Sequence, residues 1–336
     1  MSTPEPPAPY RTLPAAQLAD PTAPLRWLLT DLFLVGAAGI LGGAPKTGKS
    51  FVALDLAVAV ASGQPALGRF AVAAPGPVLL LAAEDPPAVV VQRLAALATA
   101  RDHSLATLPV EVIVEAGLRL PDGLDRLAAT VVHQQARLLI LDPLIRVHRA
   151  DENSAAEMAA VLDGVRALAR ATDCAVLLVH HTRKASAGGI AGHALRGSSD
   201  LHAFGDTNLY LRRLASDGPL ELRIEHRAAP CPPPLRLQLR TDATDVLPRA
   251  RFVCDDAVLA DPLRERTLAL VRGAPAPVSS DALRTTLGVR KQTLLALLHR
   301  LATEGVLHRA GREGWTLARA VPGPDLTHRN GNPPRE

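Results

Sequence analysis

Eight consecutive residues, Gly43, Ala44, Pro45, Lys46, Thr47, Gly48, Lys49 and Ser50, spell the pattern G-x-x-x-x-G-K-[ST]. That pattern wraps backbone N–H groups around phosphate oxygens. Gly43 and Gly48 let the chain curl so that successive N–H groups point inward. Lys49 is then placed to reach the β- and γ-phosphates, and the Ser50 hydroxyl to hold Mg²⁺. The ligand implied is a nucleoside triphosphate. No guanine-reading N-K-x-D occurs in the chain, so ATP is the expected one.

Hydrolysis asks for more than binding: a carboxylate for the Mg²⁺ shell, another to activate water, and a group that senses the γ-phosphate. Three apolar runs end in suitable residues. Leu138-Leu-Ile-Leu-Asp ends in Asp142, which reads as a metal carboxylate or, alternatively, as a helix cap. The run from Val78 ends in Glu84, placed to polarise an attacking water. Glu84 or Asp85 has a capping role as its structural alternative, and that role is assigned here to Asp85. A third run, 175–179, leads into His180-His181. Strand alternation turns one imidazole toward the site and the other away, and His181 is the one assigned to the site. A metal site lacks further Cys or His at ligand spacing nearby, and plain packing is the remaining alternative.

These residues need a sheet edge to gather them. Apolar strands are expected at 39–42, 78–83, 110–114, 138–142, 175–180, 208–211, 220–225 and 235–239. Helical patterns at 51–61, 88–101, 124–135 and 155–171 alternate with the earlier strands. The β-α-β-α order predicts an α/β fold with a mostly parallel sheet covered by helices. The later strands, separated only by turns, are expected to extend it as antiparallel hairpins. Such a sheet binds its ligand at the carboxyl ends of its strands.

The 336 residues suffice for one full α/β domain and a smaller one, and at 48% hydrophobic the core is ample, although aromatics make up only 3%. The uncharged stretch 32–45 is too short to span a bilayer, and the Pro-rich start does not resemble a secretory signal. Neither membrane partner nor export is expected. Cys174, Cys231 and Cys254 form no C-x-x-C pair and read as buried thiols in a reducing cytoplasm.

Taken together, the phosphate loop, A-A-E-D-P, L-I-L-D-P, H-H-T-R-K and R-G-S-S-D resemble RecA-type P-loop ATPases over residues 25–239. The RepA branch of ring-shaped plasmid replicative helicases and its AAA-type relatives is the nearest likeness. The resemblance implies ATP and Mg²⁺ as cofactors, Glu84 as catalytic base, Asp142 as the Walker B carboxylate and His181 as γ-phosphate sensor. It also implies a homo-oligomeric ring, often a hexamer, with DNA as partner. In the helicase pattern an Arg about ten residues past the start of R-G-S-S serves as a finger into the neighbouring site; Asp206 stands there in this chain. A K-x-R alternative reads Glu225-His226-Arg227. That leaves Arg227 or Arg196 as the finger. Arg183, Lys184 and Arg196 otherwise suit a loop that contacts single-stranded DNA in a ring channel, or simply a solvated loop.

Four segments are expected: a Pro-rich arm (1–24), the RecA-like ATPase domain (25–256), a small C-terminal winged-helix domain (257–320) and a frayed tail (321–336). From residue 262 to the end there are 12 Arg/Lys against 6 Asp/Glu, while the rest of the chain carries 25 against 27. This basic module suits a polyanion, or reflects a solvated surface. It resembles a winged helix, with 282–287 and 290–304 as the helix pair and 306–317 as the wing. Arg290, Lys291, Gln292 and Thr293 would meet DNA at the start of the recognition helix, although many such modules bind only protein. The functional readings are an ATP-driven DNA motor, in its sharpest form a replicative helicase, and a DNA-bound regulator switched by ATP. A small-molecule kinase is a distant third.

Overall fold

A computed structural model describes residues 11–17, 20, 22–114, 117–152, 154–181, 199–215, 218–242, 248–255, 262–303, 305–311 and 314–318. The chain divides into two compact units, Met1–Asp256 and Ala257–Glu336. Among the described residues no helix is long and apolar enough to cross a membrane.

The first unit opens with two short strands, β1 (Trp27–Leu29) and β2 (Phe33–Leu34), which pair with each other. Next come β3 (Ala38–Gly43), α1 (Lys49–Ser62), β4 (Val78–Ala82), α2 (Pro87–Thr99), β5 (Val110–Val112) and α3 (Leu124–His133). They are followed by β6 (Leu138–Asp142), α4 (Ala155–Thr172), β7 (Ala175–His181) and α5 (Ser199–Phe204). Four consecutive strands close the unit: β8 (Thr207–Arg213), β9 (Leu220–His226), β10 (Leu235–Asp242) and β11 (Arg249–Asp255).

Nine strands form one sheet in the order β11-β10-β9-β8-β3-β7-β6-β4-β5. From β8 to β5 the pairs are parallel. From β8 to β11 they are antiparallel. The mostly parallel α/β sheet and its antiparallel extension are therefore as the sequence predicts. β7 lies between the phosphate-loop strand β3 and the Asp142 strand β6.

Period-two alternation splits the sheet between two cores. Leu41 of β3, Leu138 and Ile140 of β6, and Leu177 and Val179 of β7 pack with α1 and α2. Ala38 and Ile40, Leu139 and Leu141, and Val176 and Leu178 pack on the other face with α3, α4 and α5. Strands buried on both faces explain why the sequence shows unbroken apolar runs instead of alternation. The same alternation puts Asp142 and His181 on the α1 face and His180 on the opposite one. Of the three cysteines only Cys174 is fully buried; Cys231 is exposed and Cys254 half-buried, which corrects the expectation of three buried thiols. Cys231 follows Pro230 and precedes three more prolines, in the connection between β9 and β10, where no core is at hand.

The second unit comprises α6 (Pro262–Gly273), α7 (Ser280–Leu287), α8 (Lys291–Thr303) and a hairpin of β12 (Leu307–Ala310) and β13 (Gly314–Leu317). Leu294, Leu297, Leu298 and Leu301 of α8 join Leu268, Leu283, Leu287 and Leu307 in its core. Gly311 and Gly314 turn the hairpin at positive φ, +50° and +137°, conformations that glycine adopts without penalty. Val278 bridges to Trp315, adding a third edge to the hairpin.

Candidate nucleotide-hydrolysis site

The phosphate loop connects the end of β3 to the start of α1. Gly48, at φ +90°, precedes the helix. A Cβ on Gly43 would lie 2.5 Å from the Leu211 carbonyl oxygen and 3.2 Å from Thr47 Oγ1, so the neighbouring strand and the loop leave room only for glycine. Thr47 Oγ1 donates to the Ala44 carbonyl at 2.8 Å. Lys49 Nζ donates to the carbonyls of Gly43 and Ala44 at 2.9 and 2.8 Å. It is 3% exposed. Burial lowers its pKa to about 8, against the pull of Asp142 and Glu84. A buried ammonium facing two carboxylates, beside a glycine cradle, is a donor set that fits a triphosphate and its metal.

Asp142 ends β6 and is 9% exposed. Desolvation raises its pKa, and Asp85 adds to the rise. A hydrogen bond with the Ser50 side chain and the charges of His181 and Lys49 oppose it. The two residues that would share Mg²⁺, Ser50 and Asp142, are thus in direct contact. Glu84 lies two residues beyond β4, and its Oε2 is 3.3 Å from His181 Nε2. Lys49, Ser50, Glu84, Asp142 and His181, drawn from four separate segments, meet at the carboxyl edge of β3, β7, β6 and β4.

His180 turns away, as alternation requires. It is 5% exposed, and burial lowers its pKa to about 4, helped by His181, His148 and Lys49. His180 Nδ1 and His148 Nε2 lie 3.6 and 3.8 Å from the same Glu152 oxygen. Sequence reasoning missed this cluster, in which tertiary folding brings His180 to a pair four residues apart, His148 and Glu152. Among the described residues no group of three or more His, Cys, Asp or Glu is arranged to hold a metal.

The capping role assigned to Asp85 is corrected. The residue before α2 is Pro86, and no side chain caps that helix. Asp85 instead pairs with Arg93, whose guanidinium sits 5.2 Å from the Phe51 ring centroid. Asp85 lies two residues before α2 and Arg93 within it, eight residues on, and the Pro86-Pro87 start hid the pairing.

Arg227 Nη2 donates to the carbonyls of Ala203 and Phe204, closing the end of α5 within its own chain. Asp206, which stands in the helicase finger position, accepts from the Ala38 N–H at 3.1 Å and helps hold β3 against β8. Arg183, Lys184 and Arg196 lie outside the described residues. In the second unit Arg290, Lys291, Gln292 and Thr293 are all exposed where α8 begins.

Comparison with known families matches residues 4–187 to the one described as AAA domain. Among solved structures the chain is similar to one described as an ATPase domain, at 15% identity and a TM-score of 0.47 over 60% of this chain and 80% of that one. It is also similar to "The Structure Of A DnaB-Like Replicative Helicase And Its Interactions With Primase". There the identity is 15% and the TM-score 0.46, over 60% of this chain and 55% of the other.

Proposed function

The chain belongs to the AAA domain family, and on that footing we propose that it is a Mg²⁺-dependent ATPase that acts on DNA. The observation that carries this reading is the meeting of Lys49, Ser50, Asp142 and the Glu84–His181 pair at one sheet edge. The loop N–H groups and Lys49 bind the phosphates. Ser50 and Asp142 hold Mg²⁺, which when bound offsets phosphate charge. Glu84 orients the attacking water and accepts its proton. His181, 3.3 Å away, holds that carboxylate and reports the γ-phosphate.

DNA is the partner favoured by the basic C-terminal unit and the exposed start of α8, read as a winged helix whose Arg290, Lys291, Gln292 and Thr293 meet the duplex. In the sharpest version the chain assembles as a hexameric ring, draws single strands through its channel by Arg183, Lys184 and Arg196, and works as a replicative helicase. A second reading, an ATP-switched DNA-bound regulator, gains from one observation. Arg227 is committed to carbonyls of its own chain, and a switch needs no finger in a neighbour's site.

The chemistry is tested by measuring ATP binding and hydrolysis separately in two variants. Glu84→Gln is expected to bind ATP normally and hydrolyse it about 10²–10⁴-fold more slowly, the range for general base catalysis. Lys49→Ala is expected to lose binding. Normal hydrolysis in both variants would place the reaction elsewhere.

A further inference from the structure

We propose that the outer face of the antiparallel strands β8–β11 is a second nucleic-acid surface, an arginine array that holds phosphodiester oxygens without reading bases. The inference rests on the reading that the chain works on DNA and adds a contact site to it. Leu222, Ile224, Leu235, Leu237, Ala250 and Phe252 enter the core with α1 and α2. Their alternate neighbours therefore point to the opposite face. The core on that side, built with α3, α4 and α5, contains no described residue of β9, β10 or β11.

The open face carries five arginines, Arg212, Arg223, Arg236, Arg240 and Arg251, among polar neighbours that include Gln238, Asp242 and Arg249. Arg212, Arg240 and Arg251 are exposed, and Arg223 and Arg236 are half-buried. Register brings them together. Glu221 stands opposite both Arg212 and Arg236, and Arg240 stands directly opposite Arg251. Glu221 pairs with Arg212 at 3.0 Å and reaches Arg223 at 4.0 Å, and Glu225, farther along β9, is 3.8 Å from His202. The acids on β9 are thus engaged with Arg212, Arg223 and His202; on the outer strands Asp255 stands opposite Arg236 and Asp242 opposite Arg249, which leaves the positive excess of β10 and β11 at Arg240 and Arg251.

Two features set this apart from a generic basic surface. Like charges placed directly opposite on a strand pair weaken the sheet, so charge pairing within the sheet does not account for Arg240 facing Arg251. In addition, the Nε atoms of Arg223 and Arg236 are closed off from solvent with no hydrogen-bond acceptor, and an orphaned buried donor is costly. Guanidinium forks match phosphate oxygens in geometry. Among the described residues the face carries no exposed aromatic anchor of the kind that dominates protein–protein contacts, whereas a polyanionic backbone needs only cations spread along its track.

The test uses the full chain without nucleotide and a labelled oligothymidylate, with anisotropy read across a salt series. The variant combines Arg236→Gln, Arg240→Gln and Arg251→Gln. Each phosphate contact on a single strand contributes about 0.7 to the slope of log K against log salt, so the triple variant is expected to flatten it by about 2. The matching triple Lys variant is expected to keep most of the slope, which separates lost charge from lost folding. Hydrolysis without DNA is expected to be unchanged, since none of the three touches the phosphate loop. A slope equal to that of the unaltered chain would overturn the proposal. So would an unchanged slope with a smaller assembly in sedimentation, which would make the face a joint between copies. If the unaltered chain shows no salt-dependent binding at all, the DNA reading fails along with it.

Discussion

Lys49 sets the working pH of the site. Its pKa is lowered to about 8, chiefly by burial, so below that value the ammonium is charged and holds phosphate. As pH climbs through about 8 the charge is lost in the nucleotide-free protein. ATP affinity is therefore expected to fall above about pH 8, approaching about tenfold per pH unit, and calorimetric titration at several pH values reads this directly. Affinity that stays flat for about two pH units beyond that point would mean that burial does not deprotonate Lys49 there. His181→Asn removes the imidazole facing Glu84 and is expected to slow turnover by roughly 10²-fold with little loss of ATP affinity. A change in affinity alone would make His181 a binding residue. At this scale the sequence is most legible where chemistry is local. The phosphate loop is one contiguous motif, and Asp142, Glu84 and His181 announce themselves as polar ends of apolar runs. Asp85 misleads because a carboxylate before a helix resembles a cap, while its partner Arg93 lies two turns further on.

Elements carry the site by staying in register. β3 lies flat against β8, and a Cβ on Gly39 would collide with the Thr207 carbonyl oxygen and come within 2.8 Å of the Phe33 ring. Gly39→Ala is expected to cost about 1–3 kcal/mol, the range for overpacking, seen as a lower denaturant midpoint with an unchanged slope. A midpoint equal to that of the unaltered chain would mean that β3 and β8 can separate without cost. In the second unit Ser279 Oγ accepts from the Ala282 N–H at 3.1 Å and starts α7, one turn before the core residue Leu283. The longer helices and the central strands are legible because their patterns are long, whereas the six-residue α5 is not among the expected helices. β1 and β2, of three and two residues, are too short to leave a pattern, and β11 escapes the sequence reading although Ala250 and Phe252 alternate inward. In the His148–Glu152–His180 cluster the first two are four residues apart along the chain, but His180 joins them only through the tertiary fold, so spacing alone could not reveal the set.

For the whole molecule the question is what ATP hydrolysis is coupled to. The candidate catalytic groups lie in the first unit, while the excess of basic residues lies in the second, 12 Arg/Lys against 6 Asp/Glu from residue 262 onward. A motor has to link the two, and a ring that used Arg227 as its finger would first have to free it from the carbonyls of Ala203 and Phe204. A switch carries neither requirement. The most direct single measurement is steady-state ATP hydrolysis with and without single-stranded and duplex DNA, beside Lys49→Ala. Strong stimulation by single strands of any sequence, abolished in the variant, is what a DNA motor predicts. Hydrolysis that stays slow and indifferent to single-stranded DNA would contradict the motor and leave the ATP-switched regulator.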